Sequence, residues 1–145
     1  MTIERLAALA VLAIAFGAVP GCDAAPAAAG AIAPNGLWLT ESGNLQIELA
    51  PCGEALCGKV TKVLGNRAMS GSGPSTAPAA TPGMEILKDM KPTGDGAYRG
   101  SIYNRENGKT YDCEIRSLSA DRLKVRAYKL LPLFGKTQIW TRVSP

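Results

Sequence analysis

Apolar and polar positions alternate in short runs along most of this chain. Leu45, Ile47 and Leu49 are separated by Gln46 and Glu48, the two-residue period of a strand that buries one face. The same period returns in Tyr111, Cys113 and Ile115, and again in Leu123, Val125 and Ala127. Turn residues bound the runs. Ser42-Gly43-Asn44 makes a tight turn, and Arg105-Glu106-Asn107-Gly108 makes a hairpin turn whose Asn-Gly pair tolerates positive φ. No helical period of useful length interrupts the pattern. The pattern predicts eight strands: Gly36 to Glu41, one centred on Leu45 to Leu49, Gly58 to Leu64, Met84 to Met90, Ala97 to Tyr103, Lys109 to Ser117, Asp121 to Tyr128, and Lys136 to Val143. Short connections make sequence neighbours sheet neighbours, and eight strands can close and remove their exposed edges. The predicted fold is all-β, a small eight-stranded antiparallel up-and-down barrel.

Two segments depart from the alternation. Asn66 to Pro82 is rich in Gly, Ser, Ala and Pro with no apolar period, which predicts a long flexible loop. Leu130-Leu-Pro-Leu-Phe-Gly135 is apolar where a polar turn is the norm. Exposed, it would be a contact patch for a partner, lipid or ligand. Folded back, it would plug one end of the barrel, and the plug is the preferred reading.

The first 22 residues read as a signal peptide. Arg5 precedes an apolar stretch from Leu6 to Val19. Its 14 residues fall short of the about 20 needed to span a bilayer as a helix. Two processing routes fit. Val19-Pro20-Gly21-Cys22 resembles a lipobox, which would make Cys22 a lipidation site and the new N-terminus, although Pro20 departs from its usual small residue. Small-x-small sites such as Ala27-Ala28-Ala29 suit ordinary signal peptidase instead. Residues 23–35 are Ala/Pro-rich and predict a disordered tether. Residues 36–145 form the one folded domain. The expected address is the periplasm or a membrane-anchored cell envelope of a bacterium, with membrane contact only through a lipid anchor.

Net charge is +4. From Arg99 to Arg142 there are ten Lys or Arg against four Asp or Glu. These cations alternate with apolar residues, so they read as a solvated outer face and not as a nucleic-acid surface. Cys52 and Cys57 flank a turn, and in an oxidising compartment a disulfide between them would stabilise by about 2 kcal/mol. A metal pair needs about four ligands, and a redox site would more often be Cys-x-x-Cys. Cys113 is left over, with a buried thiol as the default reading and pairing between chains as the alternative.

The chain has no His, which removes the commonest general base and metal ligand together. Asp112 and Glu114 share one strand face, as do Glu85 and Asp89, and both pairs read as solvent-facing. No cofactor, metal site or catalytic residue is expected.

Gly36-Leu37-Trp38 opens the first strand and Trp140-Thr141-Arg142 closes the last. In a closed barrel these strands are neighbours, so Trp38 can lie under the Arg142 guanidinium as a cation–π pair that marks closure. The arrangement looks like the Gly-x-Trp and late Arg pattern of lipocalins and their barrel relatives. Four ordered motifs extend the likeness: Gly36-Leu-Trp-Leu-Thr-Glu, Ala50-Pro-Cys-Gly-Glu-Ala-Leu-Cys-Gly58, Ile102-Tyr-Asn-Arg-Glu-Asn-Gly-Lys-Thr-Tyr111, and Leu131-Pro-Leu-Phe-Gly-Lys-Thr-Gln-Ile-Trp-Thr-Arg142. Together they resemble the exported bacterial domain-of-unknown-function family 2147. That resemblance implies a lipocalin-like barrel and a periplasmic address, and it implies almost nothing about activity.

The function expected first is a non-catalytic binding or structural accessory module that holds a small apolar ligand. Tyr103, Tyr111, Tyr128 and Trp140 are its candidate contacts. The second reading is a protein-interaction domain that meets an envelope protein through Leu131 and Phe134. The third is a hydrolase or isomerase, which needs converging titratable groups. Oligomeric state is not legible.

Overall fold

The structure, a computed structural model, describes residues 32–68, 73–131, 133 and 135–144. The leader, Cys22, most of the Ala/Pro-rich segment and Phe134 lie outside the described residues. Eight strands follow in order: β1 Gly36–Leu39, β2 Leu45–Cys52, β3 Ala55–Val63, β4 Glu85–Pro92, β5 Ala97–Asn104, β6 Lys109–Ser117, β7 Arg122–Tyr128 and β8 Lys136–Arg142. Every neighbouring pair is antiparallel, and β8 returns to β1, so the sheet is a closed up-and-down barrel.

Two boundaries differ from the sequence pattern. β1 stops at Leu39, two residues short of Glu41, because Thr40 starts a turn: its N–H donates to Leu45 O at 3.0 Å, and its carbonyl accepts from Gly43 N at 2.8 Å. The β2–β3 ladder runs beyond Leu49 through Pro51↔Leu56 to Cys52↔Ala55. Gly53, at φ 75°, turns the chain there.

Alternation delivers the core. Trp38, Ile47, Leu87, Met90, Cys113, Ile115 and Leu123 are at 0% exposure. Each large side chain among them contributes roughly 1.5–3 kcal/mol relative to exposure. β4 breaks its own period with a bulge between Lys88 and Lys91, where Asp89 sits at φ 52°. The extra residue removes the period that would set Glu85 and Asp89 on one face. Gly100 lies opposite, where any side chain would collide with the Lys88 and Asp89 carbonyls.

The two barrel ends are unlike. At one end Trp38 is sealed beneath Arg142, whose guanidinium carbon lies 4.3 Å from the ring centroid. The indole N–H donates to Pro34 O at 2.7 Å. The Cys52–Cys57 disulfide, with Cα atoms 5.7 Å apart, pins the β2–β3 hairpin at this end. The β1–β2, β3–β4, β5–β6 and β7–β8 connections gather at the other.

The long β3–β4 connection is tied down in its described parts. Asn44 Nδ2 donates to Arg67 O at 2.8 Å, while its Oδ1 accepts from Arg67 N at 3.0 Å. Arg105 Nη1 donates to Asn66 Oδ1 at 2.6 Å and to Pro78 O at 2.9 Å. Ala80 is buried.

Candidate functional site

A cavity of about 470 Å³ opens at the end away from Trp38. Its floor is apolar: Leu45, Ile86, Ile102, Val125, Ala127 and Trp140 come from five different strands. Strand alternation explains the set. Ile102 and Tyr111 pair across β5 and β6, and Leu123 and Trp140 pair across β7 and β8, so inward positions of neighbouring strands stack into layers.

All four aromatic candidates line this cavity. Trp140 is 1% exposed and donates its indole N–H to Gln138 Oε1 at 2.9 Å. Tyr111 shares the inward register of Cys113 and Ile115. Its hydroxyl accepts from Asn107 Nδ2 at 2.7 Å, and the Lys129 ammonium lies 5.3 Å from its ring centroid. Tyr103 and Tyr128 occupy the alternate registers, opposite Thr110 and Asp112, and reach the cavity from the rim.

The other singled-out residues are elsewhere. Trp38 and Arg142 meet at the closed end. Leu131 is 56% exposed, Leu130 94% and Leu133 78%. The described part of this segment therefore does not plug the barrel, which corrects the preferred sequence reading. Arg126 Nη2 holds it outward by donating to Leu133 O at 3.2 Å.

Polar lining residues that the sequence reading assigned to no ligand site are Thr40, Ser42, Asn44, Asn104, Arg105, Glu106, Asn107, Lys129, Lys136 and Gln138. A usable signal existed. In an up-and-down barrel alternate connections share one end, so the 105–108 turn and the residues flanking 130–135 must surround the same mouth.

Cys113 is at 0% exposure, and burial pushes its thiol up to about 12, with Glu114 nearby adding to the effect. A thiolate is the nucleophilic form, so Cys113 is inert at neutral pH. Outside the barrel, hydrogen bonds from Thr93 and Arg116 hold Asp95 well below the usual carboxylate range. Glu114 raises Arg99. Neither Asp95 nor Arg99 lines the cavity. Among the described residues no group of three or more His, Cys, Asp or Glu is placed to hold a metal.

The sequence from residue 36 to residue 142 matches the model of a family described as an uncharacterized protein conserved in bacteria (DUF2147). Among solved structures, the chain is similar to protein HP1028 from the human pathogen Helicobacter pylori, which is described as belonging to the lipocalin family. Identity is 20%, the TM-score is 0.60, and the alignment covers 78% of this chain and 84% of that one. No curated protein sequence matches. The structural likeness shows a lipocalin-like fold.

Proposed function

This chain belongs to the bacterial DUF2147 family, and we propose that it is a non-catalytic binding protein of the cell envelope that holds a small apolar molecule inside the barrel. The cavity carries this reading. Its volume of about 470 Å³ lies within the range of small-molecule sites, which are mostly apolar with a few placed polar groups. The lipocalin-like fold is consistent with such a role. Export is supported by the apolar stretch at Leu6 to Val19 and by the Cys52–Cys57 bond, since disulfides persist in oxidising compartments. A binding role rather than catalysis is supported by the absence of His from the chain. It is supported too by a cavity lining that, among the described residues, holds a single carboxylate, Glu106.

Ala127 lines the cavity, and Ala127→Trp would fill it from the wall. A neutral apolar fluorophore, N-phenyl-1-naphthylamine, is expected to brighten with the unaltered protein and not with Ala127→Trp. Circular dichroism checks that the variant still folds. Absence of brightening with the unaltered protein sinks the reading.

The exposure of Leu130, Leu131 and Leu133 favours a second reading, contact with an envelope protein. A Leu131→Ser, Leu133→Ser pair is expected to abolish crosslinking to that partner in whole cells without lowering the melting temperature. Unchanged crosslinking refutes it.

A further inference from the structure

The rim of the cavity is built to donate. Asn104 Oδ1 already accepts from Glu106 N at 2.9 Å, Asn107 Oδ1 from Lys109 N at 3.0 Å, and Gln138 Oε1 from Trp140 Nε1 at 2.9 Å. Backbone and indole N–H groups only donate, so these bonds fix each amide with its oxygen turned to the protein. The amide nitrogens of Asn104 and Gln138 are left to serve the cavity. Tyr111 is oriented the same way: its oxygen accepts from Asn107 Nδ2 at 2.7 Å, which leaves the phenolic O–H to donate.

Charge points in the same direction. Lys129, Lys136 and Arg105 line the cavity against one carboxylate, Glu106. Neither lysine is in an ion pair among the described residues. Gln138 stands one layer in, opposite Val125, and around it the lining is apolar: Leu45, Ile86, Ile102, Val125, Ala127 and Trp140. A volume of about 470 Å³ corresponds to roughly fifteen water-sized groups at ~30 Å³ each. Donors above a greasy well suit a molecule with an acceptor-only end and an aliphatic body.

We propose that the ligand is an amphiphilic anion, a single aliphatic chain that enters the barrel while its carboxylate or phosphate head is held at the mouth by Lys129, Lys136, Tyr111 and the amides of Asn104 and Gln138. This rests on the cavity reading above and adds the charge of the ligand to it. Hydrogen bonds to an ionised acceptor are roughly twice as strong as neutral ones, so the head contributes selectivity while the chain contributes burial.

Calorimetric titration of the full-length protein with decanoate, decyl phosphate, 1-decanol, decyltrimethylammonium and inorganic phosphate tests it. Both decyl anions are expected to bind about tenfold tighter than the alcohol, and the cation more weakly still. A Lys129→Ala, Lys136→Ala pair is expected to erase that preference while leaving alcohol binding within about twofold. A Lys129→Arg, Lys136→Arg pair retains it. Equal binding of alcohol and anions, or an Ala pair without effect, overturns the anion assignment and leaves the cavity reading standing. Failure of every decyl compound overturns both. Inorganic phosphate binding as tightly as decyl phosphate shows a bare anion site and overturns the amphiphile. Sedimentation with phosphatidylglycerol vesicles, using protein that carries neither the Leu6 to Val19 apolar stretch nor an acyl chain, separates the two sources of such a head. Protein in the supernatant is expected, and pelleting that decanoate does not reverse overturns a free amphiphile.

Discussion

Arg142 does several jobs with one planar group. Its guanidinium covers Trp38 at 4.3 Å, Nε donates to Ala120 O at 2.5 Å, and Nη1 donates to Asn35 O at 2.8 Å. It thereby joins the segment before β1 to the turn before β7. Gly36 makes the room, because a side chain at its φ of 122° would strike the guanidinium. Arg142→Ala forfeits the ring contact and two charge-assisted bonds. It is expected to lower stability by about 2–3 kcal/mol in urea unfolding. Arg142→Lys restores less than half of that, since a point charge reproduces neither the stacking nor the fork of donors. A loss below about 1 kcal/mol for Arg142→Ala would place closure elsewhere. The Trp38 and Arg142 partnership was legible because it needs only strand order and the two chain ends. The donor pattern around Gln138, Asn107 and Asn104 was not. Each of those amides is turned by a bond to a near neighbour in sequence, and that local bond shows in no hydrophobic period. What the amides then face depends on how the closed sheet gathers its turns.

At the scale of elements, all eight strands were legible from alternation and turn residues, and the errors fell where side chains override the period. Thr40 ends β1 early by using its hydroxyl to accept from Leu45 N at 3.2 Å. The bulge at Asp89 left no mark in a sequence that reads as an ordinary strand, since its enabling partner is Gly100 on the next strand. The apolar 130–135 segment misled, because hydrophobicity says what a segment would gain by burial and not which way its backbone is held, and Arg126 ties Leu133 O outward beside an open cavity. The β2–β3 hairpin is the element with a covalent tie. Closing a ring of about six residues constrains the unfolded chain by roughly 2 kcal/mol. A Cys52→Ser, Cys57→Ser pair is expected to lower the melting temperature by about 10 °C. An unchanged melting temperature would mean that Gly53 and the cross-strand ladder already fix the turn unaided.

The molecule as a whole is a sheet without free edges, but its closure is uneven. β5 and β6 are paired at eight positions, whereas β1 and β8 are paired only at Trp38↔Arg142 and Leu39↔Thr141. Beyond them β8 continues toward the cavity mouth while β1 has already turned. A carboxylate stands in for the missing strand there: Glu41 Oε2 accepts from Ile139 N at 2.8 Å. An exposed strand edge invites pairing with other chains, and an acid side chain placed on its amide both satisfies the donor and repels an approaching acidic strand. This seam is the thinnest part of the wall beside Gln138 and Trp140, so the first opening of the barrel is expected between β1 and β8. Hydrogen exchange followed by NMR checks this, with the Leu39 and Ile139 amides exchanging ahead of those of Ile102 and Cys113. Glu41→Ala removes one hydrogen bond worth about 1 kcal/mol and should speed Ile139 exchange about fivefold, with β5 and β6 unaltered. Uniform acceleration over all strands would instead mean that the barrel opens as one unit and that the seam carries no special weakness.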